Sequence, residues 1–382
     1  MEYIKSDVFL QIAHECNFDA KAIIAKIQAD INPAYTASTT SVNNRISNYR
    51  RKGLLPLDSG NYVSLGEVLK GTSTLFDSDG SIKQQWVKTD VPRQQQLDSY
   101  RQAISEMAKQ LPVLPEVPVP SLPLNSDTAT VYISNDIHFG ALMWDKESGK
   151  DWNLDLAQAT TKAAYDYLFS CSPSSEVGIV VDLGDLMEVD DYKNMTPHSG
   201  NVLAVDSRYP KILRAAYESL IYAIELALTK HKTVYFYNIA GNHDVSSGDA
   251  VREVIRVKFM DNPRVIVDET PRPIKYHQHG STLLQFAHGD GLRLHKAGEV
   301  MAHDCQDIFS STKHRYSHFG HTHKDAVYEG PLTRAESHRN LAPLNSWAYH
   351  KGFRGPLGTM KSITYHVNHG EISRSTFNVN MQ

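Results

Sequence analysis

Short apolar runs rich in β-branched residues recur along the chain after residue 130, and each run stops at a group of polar residues. Alternation and β-branching of this kind are typical of β-strands. The runs begin at residues 131, 177, 233, 282 and 316. Helical patterns at about 153–170, 207–230 and 248–260 separate several of the runs. The alternation of strands and helices predicts an α/β fold for this part of the chain.

The first part of the chain carries helical patterns instead of strands. Residues 6–32 predict two helices, and Asp19 stands where the second would have its N-cap. The dipeptide that ends in Pro33 breaks the pattern. A third helix is predicted to begin at Thr39 and to end at Gly53, because hydroxyl residues favour the start of a helix and glycine its end.

The third helix has an apolar face, formed by Val42, Ile46 and Tyr49, and an opposite face of amide, hydroxyl and guanidinium groups. Its position in the series resembles that of the recognition helix in a winged helix-turn-helix. A small helical domain that docks onto another protein is the alternative, because acidic and basic residues nearly balance in this region. The predicted nucleic-acid contacts, which suit base edges and phosphates, are Asn43, Asn44, Arg45, Ser47, Arg50, Arg51 and Lys52.

A heptad pattern and a proline-rich run separate the two parts of the chain. Residues 92–111 carry apolar side chains alternately three and four apart, which favours either a homodimer through this segment or a helix folded back on its own domain. The proline-rich run that follows predicts an extended spacer. We predict a winged helix-turn-helix-like domain over 1–90, a helix and Pro-rich linker over 91–128, and an α/β domain over 129–382.

Composition and charge narrow the class of protein. The chain has 382 residues, of which 41% are hydrophobic and 21% charged, and it is long enough for two globular domains. No run approaches the roughly 20 apolar residues of a membrane span, the first residues lack a secretory pattern, and the three cysteines have no paired spacing. These features predict a cytoplasmic protein. The net charge of −4 means that any nucleic-acid binding would depend on local basic patches.

The polar groups that end the apolar runs contain the residue types that bind divalent metals. They are Asp136-Ile-His138, Gly184-Asp185, Gly241-Asn242-His243-Asp244, His288-Gly289-Asp290 and Gly320-His321-Thr322-His323. A single Asp or His of this kind is more often a turn or surface residue, but open α/β sheets place ligands at the carboxyl ends of their strands. Carboxylate, amide and imidazole ligands together suit Mn, Fe or Zn better than Ca or Mg.

In this order the five motifs resemble those of the calcineurin-like metallophosphoesterase family, over roughly residues 129 to 375. The resemblance implies a four-layer α/β/β/α sandwich that hydrolyses phosphate esters with two divalent ions, Mn first and Fe or Zn as alternatives. It implies one ion held by Asp136, His138, Asp185 and His323 and a second held by Asp185, Asn242, His288 and His321. It also makes His243 the general acid, with Asp244 orienting its ring.

One departure from the family pattern follows Asp185, where many relatives have Asp or Asn and this chain has Glu188. We place Glu188 outside the ligand set, as a residue that supports a ligand. The polar, turn-rich segment 189–200 then predicts a substrate rim. The predicted substrate contacts, each of which has the alternative of a plain surface residue, are Tyr192, Asn194, His198, Arg293 and His295.

A nucleic-acid-binding module tethered to a two-metal site favours hydrolysis of phosphodiester bonds in nucleic acid, because a tether raises the local concentration of substrate. A phosphatase and a nucleotide or cyclic-nucleotide phosphodiesterase are the enzymatic alternatives, since this scaffold serves all of these activities. A DNA-binding regulator with a vestigial hydrolase domain is the alternative without activity, and the intact ligand set argues against it. The architecture also resembles phosphoesterases encoded by bacteriophages, which would act in the host cytoplasm.

Overall fold

The computed structural model describes residues 4–51, 68–77, 82–90, 102, 106, 117–121, 123–352 and 358–381. The chain divides into two units, Met1–Gln102 and Ala103–Gln382. Most of the segment predicted to dimerise, 92–111, lies outside the described residues, and so does Lys52. Among the described residues, no helix combines the length and the apolar character needed to cross a membrane.

Among the residues of the first unit that the structure describes, three helices form an apolar core. They are α1 (Ser6–Glu15), α2 (Ala20–Asp30) and α3 (Thr39–Arg51). Asp19 caps α2 as predicted, because its carboxylate accepts the N–H of Ala22 at 2.7 Å. Val42, Ile46 and Tyr49 of α3 are buried against the other two helices, which confirms the predicted apolar face.

An antiparallel hairpin follows the helices, with strands β1 (Val68–Phe76) and β2 (Ile82–Asp90). In the described part of this unit three helices precede a hairpin, which is the element order of a winged helix-turn-helix. The assignment of this unit as a nucleic-acid-binding domain stays a prediction.

Two β-sheets form the second unit. In chain order the strands are β3 (Asn125–Ser134), β4 (Ser175–Asp182), β5 (Thr233–Asn238), β6 (Val265–Val267), β7 (Ile274–His279), β8 (Thr282–Ala287), β9 (His314–Phe319), β10 (Ala326–Glu329), β11 (Arg334–Ser337), β12 (Thr359–His366) and β13 (Gly370–Asn378). One sheet has the order β13-β12-β3-β4-β5-β6 and the other β10-β11-β9-β8-β7. Strand β3, the first of this unit, begins at Asn125, which lies inside the stretch 91–128 that was predicted as linker.

Parallel pairing brings together the strand ends that carry the motifs. Strands β3, β4 and β5 are parallel neighbours in the first sheet, and β8 and β9 are parallel neighbours in the second. All five predicted apolar runs are therefore strands, and each motif follows the carboxyl end of its strand.

Helices cover the outer faces of both sheets. The helices and short 3₁₀ turns of this unit are α4 (Asp145–Ser148), α5 (Leu154–Cys171), α6 (Tyr209–Lys230), α7 (Val245–Phe259), Leu294–Lys296, α8 (Ala297–Asp304), α9 (Gln306–Ser311), α10 (Ser346–His350) and Val379–Met381. The predicted helices at about 153–170, 207–230 and 248–260 correspond to α5, α6 and α7.

Three apolar cores define the layers. Helices α5, α6 and α7 pack on the outer face of the first sheet, where Ile212 of α6 and Phe236 of β5 belong to one apolar core. Val131 and Phe286 lie in the core between the two sheets. Ala297 of α8 packs with Phe319 outside the second sheet. The order of layers is α/β/β/α, which confirms the predicted fold class.

Candidate metal centre

The strand ends that carry the motifs are tied to one another by backbone hydrogen bonds. Asp136 donates its N–H to the carbonyl of Gly184 at 2.9 Å, and His138 donates to the carbonyl of Asp185 at 3.0 Å. These bonds continue the β3–β4 pairing past the ends of the strands. The side chains of the first two motifs are therefore held on one edge of the sheet.

Five of the seven predicted ligands have a left-handed backbone, a conformation that costs about 1–3 kcal/mol in residues other than glycine. They are Asp136, His138, Asp185, His321 and His323. The glycines of the motifs make room for these residues. A Cβ atom at Gly241 would overlap the Asp185 carboxylate, and one at Gly320 would overlap the Asp136 carboxylate. The local backbone is thus arranged to bring these side chains together.

The first cluster contains Asp136, His138 and His323. The Nε2 atom of His323 lies 3.3 Å from Nε2 of His138 and 3.2 Å from Oδ1 of Asp136. The donor atoms of the three residues all lie within 4.8 Å of one another. Asp136 is fully buried and also accepts the N–H of His321, at 3.0 and 2.9 Å to its two oxygens. Three donors that converge in this way are suited to one metal ion.

The second cluster contains Asp185, Asn242, His288 and His321. The Nε2 atom of His288 lies 3.1 Å from Oδ1 of Asn242 and 3.3 Å from Oδ2 of Asp185. Its Nδ1 donates to the carbonyl of Leu183 at 2.8 Å, so Nε2 is the ring atom available to a metal. The donor atoms of Asp185, His288 and His321 lie within 4.8 Å of one another. The role of Asp185 as a bridge to the first cluster stays a prediction.

Buried carboxylates dominate the electrostatics of both clusters. Burial disfavours a charged ring at His288, but Asp185 and Asp136 outweigh this effect and raise its pKa to about 10. Burial also disfavours a charged ring at His138, but the Glu188 carboxylate outweighs this effect, and the pKa of His138 rises to about 9. Against the cost of burial, the same histidines and His323 lower the pKa values of Asp185 and Asp136. The carboxylates thus require positive charge at these nitrogen atoms, which divalent ions can supply in place of protons.

His243 lies beside the first cluster, with its ring centroid 4.9 Å from that of His138. Its Nδ1 donates to the carbonyl of Glu188 at 2.9 Å. The carboxylate of Glu188 lies 2.7 Å from Nδ1 of His138 and 3.7 Å from Nδ1 of His243. Glu188 therefore lies against both rings, and its role as a supporting residue stays a prediction.

Asp244 has a different role from the one that the resemblance implied. Its carboxylate accepts the N–H groups of Gly241, Met187 and Asp185 at 2.8, 3.2 and 3.3 Å, while the His243 ring is oriented by Glu188. Burial and the Asp185 charge raise the pKa of Asp244 to about 7. The Asp244 carboxylate therefore faces the backbone and does not contact the His243 ring. Its three donors come from both loops that carry predicted ligands, so Asp244 links these loops.

The predicted substrate contacts lie on exposed loops next to the motifs. Tyr192 is 74% exposed, Asn194 has a left-handed backbone, and His198 lies in the turn that follows. Arg293 and His295 are exposed after the His288 motif. Among the described residues, none of these five side chains forms a hydrogen bond or ion pair with a predicted metal ligand. Their roles stay predictions.

The predicted nucleic-acid contacts on α3 divide into two groups. Asn43, Asn44 and Ser47 are exposed, as the prediction requires. Arg45 is part of the core contacts instead: its guanidinium donates to the carbonyl of Ile4 at 2.6 Å and lies 4.1 Å from the centroid of the Phe9 ring. Arg45 therefore stabilises the fold of this unit, and we remove it from the candidate interface. The roles of Arg50 and Arg51 stay predictions.

Two supporting residues gave no sequence signal. Asn135 is buried and donates its amide to Oδ2 of Asp136 at 2.9 Å and to the carbonyl of His338 at 3.2 Å. Asp190 accepts the N–H groups of Ser246 and Ser247, so it caps the start of α7 directly after the His243 motif. The contacts of Asn135 with His338 and of Asp190 with α7 join segments far apart in the sequence, which no local pattern reveals.

Comparison with known proteins gives similarity of structure only. No family model and no curated protein matches the sequence. The chain is similar to solved phosphoesterase structures. A predicted phosphoesterase from Streptococcus pneumoniae TIGR4 is 10% identical with a TM-score of 0.28, and the match covers 66% of this chain and 98% of that one. The phosphoesterase Yfce from E. coli is 12% identical with a TM-score of 0.32, covering 64% and 98%. A dimetal phosphatase from Danio rerio is 7% identical with a TM-score of 0.36, covering 65% and 98%. These values are low, and the function proposed below rests on the site residues.

Proposed function

We propose that this chain is a metal-dependent phosphoesterase of the calcineurin-like family that hydrolyses phosphodiester bonds. The observation that carries the proposal is the convergence of two Asp and His clusters beside His243 at the ends of parallel strands. Carboxylate, amide and imidazole donors in these numbers suit two Mn ions, or Fe or Zn. The predicted ligands of one ion are Asp136, His138, Asp185 and His323, and those of the other are Asp185, Asn242, His288 and His321.

Two divalent ions in such a site supply a nucleophile from water at neutral pH and offset the charge of a phosphate. The residues of the chain do the rest. Nδ1 of His243 donates its proton to the carbonyl of Glu188, so in the imidazolium form of the ring the second proton lies on Nε2, from which it can pass to the leaving oxygen. Glu188 lies against the rings of His138 and His243. Asp244 links the loop that carries Glu188 to the loop that carries His243. These contacts hold the proton donor in position before the substrate binds.

Nucleic acid is the substrate that we propose, with the first unit as the module that holds it. The exposed amide and hydroxyl groups of Asn43, Asn44 and Ser47, and the absence of acidic residues from α3, support this choice. In the test, purified protein is incubated with Mn and with each of several substrates in parallel. The substrates are single-stranded DNA, duplex DNA, RNA, cyclic nucleotides, and nitrophenyl mono- and diesters. We expect cleavage of nucleic acid and of the diester. Cleavage of monoesters alone would support a phosphatase instead.

Glu188→Gln is expected to weaken metal binding about 10–100-fold, the usual effect of losing a residue that supports a metal-ligating histidine. The substitution preserves the size of the side chain. It also leaves in place the backbone carbonyl of residue 188, which accepts the hydrogen bond from His243. It removes the charge 2.7 Å from Nδ1 of His138. Titration of the metal-free protein with Mn measures the effect, and Glu218→Gln, at an exposed position on α6, is the matched control. Equal Mn affinity in Glu188→Gln and the unmodified protein would contradict the assigned role.

Replacing Arg50, Arg51 and Lys52 by Ala is expected to reduce cleavage of DNA and to make it less sensitive to salt. Each phosphate contact contributes about 0.7–0.9 to the slope of log affinity against log salt, so the slope should fall by about 2–3. Hydrolysis of a nitrophenyl diester should stay the same, because it needs no extended binding surface. Lys21→Ala, on the exposed side of α2, is the control. Unchanged cleavage of DNA would instead indicate that this unit docks onto a protein partner.

A further inference from the structure

A small ribbon of irregular segments, joined by isolated antiparallel bridges, begins two residues after the predicted metal ligand His138. It consists of residues 140–144, 192–195 and 202–206, which we call the rim ribbon. Ala141 pairs with Val205, and Met195 pairs with Val202. The N–H of Leu142 donates to the carbonyl of Ala204 at 3.0 Å. Ala141 lies three residues after His138, so the ribbon starts within about 10 Å of the metal centre.

The rim ribbon carries buried apolar side chains and, beside exposed polar residues such as Lys193 and Asp206, a group of exposed apolar ones. Ala141 and Met143 are buried, and Leu203 and Val205 pack against the helical core. The side chains between them point outwards. The exposed ones are Leu142 (45%), Trp144 (56%), Tyr192 (74%), Met195 (36%) and Val202 (82%). A solvent-facing side of an antiparallel ribbon normally carries polar residues, so an exposed apolar face of this kind marks an interaction surface.

A row of basic side chains lies where the ribbon leads into α6. Arg208, Lys211 and Arg214 are all exposed, and they are spaced three residues apart around the start of the helix. Among the described residues, none of the three has a carboxylate within the 4.0 Å of a salt bridge. Tyr192 connects the row to the ribbon, because its ring centroid lies 5.2 Å from that of Tyr209.

We propose that the rim ribbon and the basic row together hold single-stranded nucleic acid next to the scissile phosphate. This inference rests on the proposed function and adds the form of the substrate. Surfaces that bind single strands combine aromatic side chains, on which bases stack, with cations that follow the phosphates. Trp144 and Tyr192 supply the first feature, and Lys211 and Arg214 the second. The bases of a duplex are paired and stacked on each other, so only a single strand can use the apolar face.

The experiment measures binding of two fluorescent probes to the full chain without divalent ions, so that neither probe is cut. One probe is an oligothymidylate of about 12 nucleotides, and the other is an abasic strand of the same length. Trp144→Ala should weaken binding of the oligothymidylate about tenfold and leave the abasic strand unchanged, because only bases stack. Lys211→Glu combined with Arg214→Glu should weaken binding of both probes. Melting temperatures confirm that each variant is folded.

Two control variants lie at the opposite end of the sheets from the metal centre. Ile372→Ala removes a side chain that is 50% exposed on β13, and Lys313→Glu reverses an exposed charge before β9. Neither should change the binding of either probe. If Trp144→Ala binds the oligothymidylate as tightly as the unmodified protein, the proposal is overturned. Dissociation of a dimer by Trp144→Ala, with no change in probe binding, would overturn it in favour of a second copy of the chain.

Hydrolysis of a nitrophenyl diester by the unmodified protein with Mn separates this proposal from the proposed function. Activity on the diester without an effect of Trp144→Ala on probe binding overturns the rim ribbon proposal alone. Absence of activity on every ester overturns the phosphoesterase assignment, whereas the binding data still decide whether the rim ribbon holds a single strand.

Discussion

Asp185→Asn is expected to abolish metal loading and hydrolysis together, with a loss of rate of at least about 10³-fold. Metal ions contribute several kcal/mol of charge stabilisation to phosphoester hydrolysis, and each 1.36 kcal/mol is a factor of ten in rate. Asp185 is buried, and its carboxylate lies 3.3 Å from Nε2 of His288. An amide of the same shape carries no charge to offset a divalent ion. The loss should therefore appear in metal analysis and in the rate.

Asp182→Asn is the matched control for this variant. Asp182 ends strand β4 three residues before Asp185, and burial together with the nearby Asp244 charge raises its pKa well above the usual range. The shift favours the uncharged form of the side chain, whose shape Asn imitates while still accepting from the amide of Asn238. We expect Asp182→Asn to bind as much Mn as the unmodified protein. Mn should also raise the melting temperature of this variant as much as it raises that of the unmodified protein. Two bound ions and normal turnover in Asp185→Asn would contradict the site assignment.

The convergence of the predicted ligands at one edge could be predicted from sequence because its signals are local. Each strand leaves a run of apolar residues, and each motif follows its run directly, as Asp136 and His138 follow β3. Parallel neighbours then place those motifs at one edge whatever the details of packing. The left-handed backbone at Asp185 adds nothing to the pattern, but glycine beside it indicated the close approach that the structure shows.

The supporting residues could not be predicted, because their partners are distant in sequence. Asp244 follows His243 directly and was expected to touch its ring, yet its donors include the N–H of Met187, which is 57 residues away. Arg45 lies on the polar side of α3 by periodicity, but Phe9 of another helix covers it. The rim ribbon is also hidden, since its strands are single bridges too short to leave a pattern of alternation.

His243→Ala is expected to keep its metals and to lose about 10²–10⁴ in rate, the usual contribution of a general acid. His243 is not a predicted ligand, and its ring is fixed through Nδ1 to the carbonyl of Glu188. The loss should depend on the leaving group. A nitrophenolate leaves readily without a proton, whereas the sugar oxygen of a nucleotide needs one, so the variant should be impaired less on the nitrophenyl ester.

The measurement compares His243→Ala with the unmodified protein on esters whose leaving groups differ in pKa, after metal analysis shows equal loading. His303→Ala, at a position where the side chain is 84% exposed, controls for the loss of an imidazole elsewhere. A proton donor acts only as the bond to the leaving oxygen breaks, so its removal must make the rate more sensitive to leaving-group pKa. Equal losses on good and poor leaving groups would mean that His243 positions the phosphate and donates no proton.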